Sequence, residues 1–221
     1  MSARTPKPVF KTLAELLDRL GDVPPERIRF HPLPGTATVK DVLEIEAHED
    51  RLCELVDGVL VEKPTGFSES RIASLLITAF QTFVDAHDLG IVTGESGMIR
   101  MPANLVRIPD VAYFAWKKFP GRELPDEGAP EVVPDLAVEV LSKSNTKKEM
   151  ERKLGEYFQI GAKLVWFVDP RSKTVSVYSS PTRVISFSVN DTLDGGKVLP
   201  GFKLPVKKLF ANLGTSSKKR K

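Results

Sequence analysis

Two acidic residues interrupt runs that are otherwise apolar: Asp110 in Arg107-Ile108-Pro109-Asp110-Val111-Ala112, and Glu139 in Leu136-Ala137-Val138-Glu139-Val140-Leu141. Burying an unpaired carboxylate is costly, so a charge in such a run usually has a cationic partner or a metal ion. If the two strands are neighbours in a sheet, both carboxylates converge at one end. Hard oxygen ligands of this kind suit Mg²⁺, which takes one or two carboxylates and completes its octahedron with water and phosphate oxygens. Such an ion acidifies a bound water, neutralises a scissile phosphate and stabilises the leaving oxygen. A nearby lysine offsets the charge that builds on the phosphate. The competing reading is that each carboxylate faces solvent at a strand edge, and the pattern alone does not choose between them.

Other chemistries have weaker support. Cys53 is the single cysteine and lies in the apolar run Leu52-Cys53-Glu54-Leu55-Val56, which suggests packing rather than a nucleophile. His31, His48 and His87 are scattered and have no zinc-ligand spacing. Asp194-Gly195-Gly196-Lys197 is too short for a phosphate-binding loop and reads as a turn. Trp116, Trp166 and Tyr157 read as core or rim aromatics.

The elements that must position the carboxylates follow from periodicity. Leu13, Leu16, Leu17 and Leu20 recur at helical spacing behind Thr12 as N-cap, and Gly21 stops that helix. A second helix is predicted from near Thr38, with Val39, Val42, Leu43 and Ala47 on one face. Residues 1–50 thus form an N-terminal helical extension. Asp57-Gly58 joins two β-type runs, 52–56 and 59–62, as a two-residue hairpin turn. The strongest amphipathic helix covers 69–86, carrying Ile72, Leu75, Leu76, Ala79, Phe80 and Phe83. Strands are predicted at 91–93, 98–101, 106–114 and 135–141, with a long excursion over 117–134 beside the site. Asn145 or Thr146 caps a helix reaching Ile160 and stopped by Gly161, with Met150, Leu154, Tyr157 and Phe158 buried. Strands at 163–168, 174–178 and 184–189 follow, then a closing segment to Leu213. The order from 67 to 168 is read as helix, a run of strands, helix, strand. Helices do not alternate with every strand, so a Rossmann arrangement is disfavoured and a mixed sheet flanked by two helices fits better.

Bulk properties agree with one main domain, since 221 residues at 41% hydrophobic content suffice for a single well-buried core. Nothing approaches the ~18 consecutive apolar residues of a membrane span, so a soluble, cytoplasmic protein is expected. The chain has 32 basic and 29 acidic residues, but Lys218 to Lys221 are all basic. Without that tail, residues 214–221, the body is slightly acidic, and attraction for nucleic acid must come from a local patch. The tail is expected to be a solvated, disordered end. Residues 1–11 are basic and read as a loose terminus or a transit-like stretch.

The strings Cys53-Glu54-Leu55-Val56-Asp57-Gly58, Arg107 to Ala112, Pro134 to Ser142, the Lys153-to-Tyr157 helix and Leu164 to Pro170 resemble the restriction-endonuclease family often called Uma-two-like, in the same order and spacing over residues 38–210. That family is placed in the PD-(D/E)XK nuclease superfamily. The resemblance implies an α/β fold with a restriction-endonuclease-like mixed β-sheet flanked by helices, formed by residues 51–213. It also implies Asp110 as the aspartate of the "PD" element and Glu139 as the acid of the (D/E)XK element. Leu141 stands where the superfamily lysine belongs. The family resemblance points to Lys153 on the following helix as its replacement, with Lys143 ranked second. Against this, Lys153 lies in the charged stretch Lys147 to Lys153, which otherwise reads as a solvated face. Glu54 is implied to lie near the site, or else to serve a salt bridge, while Glu69 stands near a position where relatives often have His.

The expectation is therefore an endonuclease that hydrolyses DNA with Mg²⁺ held by Asp110 and Glu139, Mn²⁺ being able to substitute. A two-fold homodimer would be the simplest way to cut both strands. The alternative is a nuclease-fold module without catalysis that binds nucleic acid or a protein partner, suggested by Leu141 and the nearly neutral body.

Overall fold

The computed structural model describes residues 9–49, 51–64 and 66–211. The basic tail and most of the first eleven residues lie outside them. The elements in chain order are α1 (Leu13–Leu20), α2 (Val39–Glu49), β1 (Cys53–Val56), β2 (Val59–Glu62), α3 (Phe67–Ala86), β3 (Gly90–Thr93), β4 (Ile99–Met101), β5 (Leu105–Arg107), β6 (Val111–Ala115), β7 (Leu136–Val140), α4 (Lys147–Gln159), β8 (Leu164–Asp169), β9 (Thr174–Ser180), β10 (Arg183–Phe187), β11 (Thr192–Asp194), β12 (Lys203–Pro205) and α5 (Val206–Phe210).

A six-stranded mixed sheet runs β10-β9-β8-β7-β6-β3, antiparallel except for the parallel β7–β8 pair that α4 connects. Period-two alternation sends its side chains to two cores. Val111, Tyr113, Leu136, Val138, Trp166 and Val168 pack against Ile72, Leu76 and Phe80 of α3. Ala112, Phe114, Ala137, Val165 and Phe167 pack against Met150, Leu154 and Tyr157 of α4. The sheet is thus covered on both faces, which explains why its central strands lack polar alternation.

A four-stranded antiparallel sheet, β2-β1-β5-β4, stands beside it. Its α2-facing side carries Cys53, Leu55, Leu60 and Val106 against Val42 and Ile45. The other side places Val56, Val59 and Val61 against Leu16 and Leu20 of α1. The Asp57-Gly58 turn has φ of 50° and 71°, the doubly positive geometry its sequence favours. Cys53 is buried, and burial pushes its thiol up to about 11, away from a reactive thiolate.

Sequence and structure differ at three places. The run read as one strand over 106–114 is two: Ile108-Pro109-Asp110 breaks it, because proline has no N–H for the ladder, and its halves join different sheets. The strand at 98–101 likewise belongs to the small sheet. With β4 and β5 in the small sheet, the large-sheet strands β3, β6 and β7 stand between α3 and α4, and β8 follows α4. The buried face of α2 centres on Val42 and Ile45, while Ala47 is exposed. The 117–134 excursion folds against Arg100 and Asp135, through Arg100 N–H to Pro130 O and Lys118 to Val133 O and Asp135.

Candidate active site

The β5–β6 connection brings the two sheets together, and six buried charged residues, Glu54, Lys63, Arg107, Asp110, Glu139 and Lys153, collect at that joint. Val111 pairs with Val138, and the Asp110 N–H donates to Val138 O at 3.0 Å, so continuing the antiparallel register sets Asp110 across from Glu139. Both lie on the alternation that faces α4. Asp110 Oδ2 accepts the Val140 N–H at 2.6 Å. Its Oδ1 lies 2.8 Å from the Lys63 ammonium, which comes from the end of β2.

Glu139 is met by α4. Lys153 and Tyr157 are four residues apart and so share one helix face. The Lys153 ammonium stands 3.2 Å and 3.3 Å from the two Glu139 oxygens, and the Tyr157 hydroxyl donates to Oε1 at 2.6 Å. Lys153 is only 2% exposed, so the solvated-face reading does not apply to it. Its third contact is Glu54 Oε1 at 2.9 Å. Glu54 lies on β1 and also accepts from Arg107 Nη1 at 2.7 Å and from the Ile108 N–H at 3.2 Å. Arg107 in turn holds Glu156 of α4 at 2.6 Å.

The proton affinities follow from this crowding. Burial pushes the Glu54 carboxyl up, but Lys153 and Arg107 outweigh it and bring it down to about 2. Burial would lower Lys153, yet Glu139 and Glu54 hold it above the ordinary lysine value, so it is a fixed ammonium and not a proton acceptor. Glu139 lies above the usual carboxylate range because it is buried and faces the negative charges of Asp110 and Glu54. Burial, then Glu139, pushes Tyr157 well up, leaving it a permanent donor.

Asp110, Glu139, Lys153 and Glu54 are therefore brought into one cluster. Lys143 is exposed, and Glu69 lies in the first turn of α3 with its carboxylate folded back over Gly66. Lys63, Arg107 and Tyr157 were missed as members of the cluster. Tyr157 was findable, being one helical turn beyond Lys153. Lys63 was not, since nothing local distinguishes a lysine that ends a strand.

The Uma2 family, described as "Putative restriction endonuclease", matches residues 39–207. The chain belongs to this family. Its fold is also similar to the crystal structure of "a putative nuclease belonging to DUF820" from Anabaena variabilis, with a TM-score of 0.63 at 19% identity, covering 73% of this chain and 90% of that one. No curated protein matches the chain in sequence. The Uma2 match includes every residue of the cluster.

Among the described residues, no three His, Cys, Asp or Glu side chains are grouped to hold a metal ion. The donor set fits an ion that needs only two carboxylates. Asp110 Oδ2 is fixed by a backbone amide, while its Oδ1 faces a cation. Asp110 and Glu139 are the two carboxylates of the cluster that could hold such an ion. No helix among the described residues is long and apolar enough to cross a membrane.

Proposed function

We propose that this Uma2 protein is a Mg²⁺-dependent endonuclease that hydrolyses phosphodiester bonds in DNA, with Mn²⁺ able to replace Mg²⁺. The observation that carries the reading is the Lys153 ammonium on Glu139, supplied by α4 where the strand offers Leu141 instead. It also weighs against a module that has lost its catalytic lysine. Bound at Asp110 and Glu139, the ion would supply an acidified water and neutralise the scissile phosphate. Asp110 presents one oxygen because the Val140 amide fixes the other. Glu139 is aimed by Tyr157, and Lys153 opposes the rise that burial imposes on its carboxyl. Lys153, always protonated, offsets charge on the phosphate and does not act as base. Glu54 and Arg107 fix the ammonium from behind.

A cleft of about 710 Å³ lies at Lys63, lined by Glu46, Glu49, Arg51, Glu62 and Glu95. With four glutamates on its wall, it would repel a polyanion unless a divalent cation lowered the charge. This favours metal-dependent DNA binding. Activity is assigned to residues 51–213, with 1–50 as an extension, and double-strand cleavage would call for a homodimer.

Purified protein incubated with plasmid and with single-stranded DNA should cleave in Mg²⁺ or Mn²⁺ and not in chelator. Cleavage that persists in Asp110→Ala or Glu139→Ala would remove these residues from the mechanism. DNA binding without any response to metal would favour the non-catalytic module.

A further inference from the structure

Lys63 is the cation in the cluster with unspent donors. The β2 end fixes its backbone, since the Lys63 N–H donates to Leu52 O at 2.8 Å. Its side chain is 4% exposed, and the ammonium reaches Asp110 Oδ1 at 2.8 Å. That ion pair aside, the ammonium makes no hydrogen bond among the described residues. A buried ammonium has three protons to place, and leaving them unplaced is unfavourable. Lys153 differs in spending its donors on both oxygens of Glu139.

Position adds a second observation. Lys63 lines the cleft through which an ion or a phosphate would reach the cluster. The Asp110 oxygen it covers is the one that the Val140 amide leaves unclaimed. A lysine is a compact point charge on a flexible stem and can withdraw from a carboxylate without unfolding anything around it.

We propose that Lys63 is a tethered counter-cation that covers the metal-binding oxygen of Asp110 and must leave it before a divalent ion can bind. This inference rests on the reading of Asp110 as a metal ligand. It makes the metal-free protein hold its carboxylate with an internal charge and sets a threshold on metal occupancy. Once displaced into the cleft, the ammonium has its donors free for a phosphate oxygen.

The test is Mn²⁺ binding, followed by electron paramagnetic resonance and calorimetry with the metal alone, on the wild-type chain, Lys63→Met, Arg51→Met and Asp110→Asn. Methionine keeps the length of the stem and removes only the charge. Lys63→Met should bind Mn²⁺ about 10- to 100-fold more tightly than wild type, the range by which neighbours of a metal ligand tune its affinity. Arg51→Met removes the same charge from the same cleft and should change affinity by no more than about threefold, as for an exposed charge. Equal or weaker binding by Lys63→Met, or equal tightening in both variants, would overturn the proposal. In the unmutated chain, Mg²⁺ should shift the side-chain ¹⁵N resonance of Lys63 and leave that of Lys153 in place, and an unmoved Lys63 signal at saturating Mg²⁺ would also overturn it. Wild-type affinity that survives in Asp110→Asn is a different failure, because it removes Asp110 as a ligand and the underlying reading with it.

Discussion

Two buried charged clusters lie along α4, and they are built differently. At its N-terminus Arg27 forms a bidentate pair with Glu149, at 2.7 Å and 3.0 Å, and donates two further hydrogen bonds to Glu62 O and Ser144 O. Glu149 completes a capping box with Thr146, whose hydroxyl donates to Gly21 O. Gly21 is required there: its φ is +83°, and a Cβ would lie 2.7 Å from the Glu149 nitrogen. Every group has a partner, and the cluster fastens α1 and the β1–β2 hairpin to α4. One to two turns further along α4, three carboxylates share two ammonium groups, one with unplaced donors. A satisfied network reads as a fastening. A crowded, incompletely satisfied one beside a cleft reads as a site.

Breaking each cluster should therefore have different consequences. The largest effect is expected from Asp110→Asn, which should reduce metal-dependent DNA cleavage by about 10²- to 10³-fold with little change in melting temperature. A large loss of stability instead would make Asp110 a fastening residue. Arg27→Met should do the converse. It should cost about 3–5 kcal/mol in denaturant unfolding by leaving Glu149 buried and unpaired, while Mn²⁺ affinity of the folded protein stays at the wild-type value.

Acid should act on the site through Glu54. Its folded pKa is depressed, so its contribution is complete above the ordinary value of 4.5 and is lost as pH falls from there toward about 2. Glu139, raised in the folded chain, changes in the opposite sense, so comparison with Glu54→Gln isolates the effect. The stability gap between wild type and that variant should narrow by a few kcal/mol across this window, and a constant gap would contradict the pairing. The smallest change is expected from Tyr157→Phe, which removes one donor from Glu139 and should cost about 1 kcal/mol of stability. Its role as a positioning residue would appear as a lower kcat with unchanged KM for DNA.

The same comparison explains what was legible in the sequence. Helices α1, α3 and α4 and the hairpin were readable because their caps, turn residues and periodicity are local. Asp110 and Glu139 stood out because a charge in an apolar strand is a local anomaly. Lys153 was ambiguous: surrounded by Lys147, Lys148, Glu149, Glu151 and Arg152, its burial depends on which helix face meets the sheet. The Thr146-x-x-Glu149 spacing is the local signature of the capping box that starts α4. Lys63 and Arg107 were invisible as site residues, because the contacts that bring them there connect β2 and β5 of the small sheet to α4 and β6. The split at Pro109 was readable as a strand break, but not as a change of sheet, which only the tertiary arrangement decides.

The most direct test of the central claim is anomalous diffraction from crystals of the wild-type protein soaked in Mn²⁺. The account predicts a peak at the Asp110 and Glu139 carboxylates, with Lys153 still on Glu139 and Lys63 drawn away from Asp110. A fully soaked crystal with no peak at those two carboxylates would contradict it.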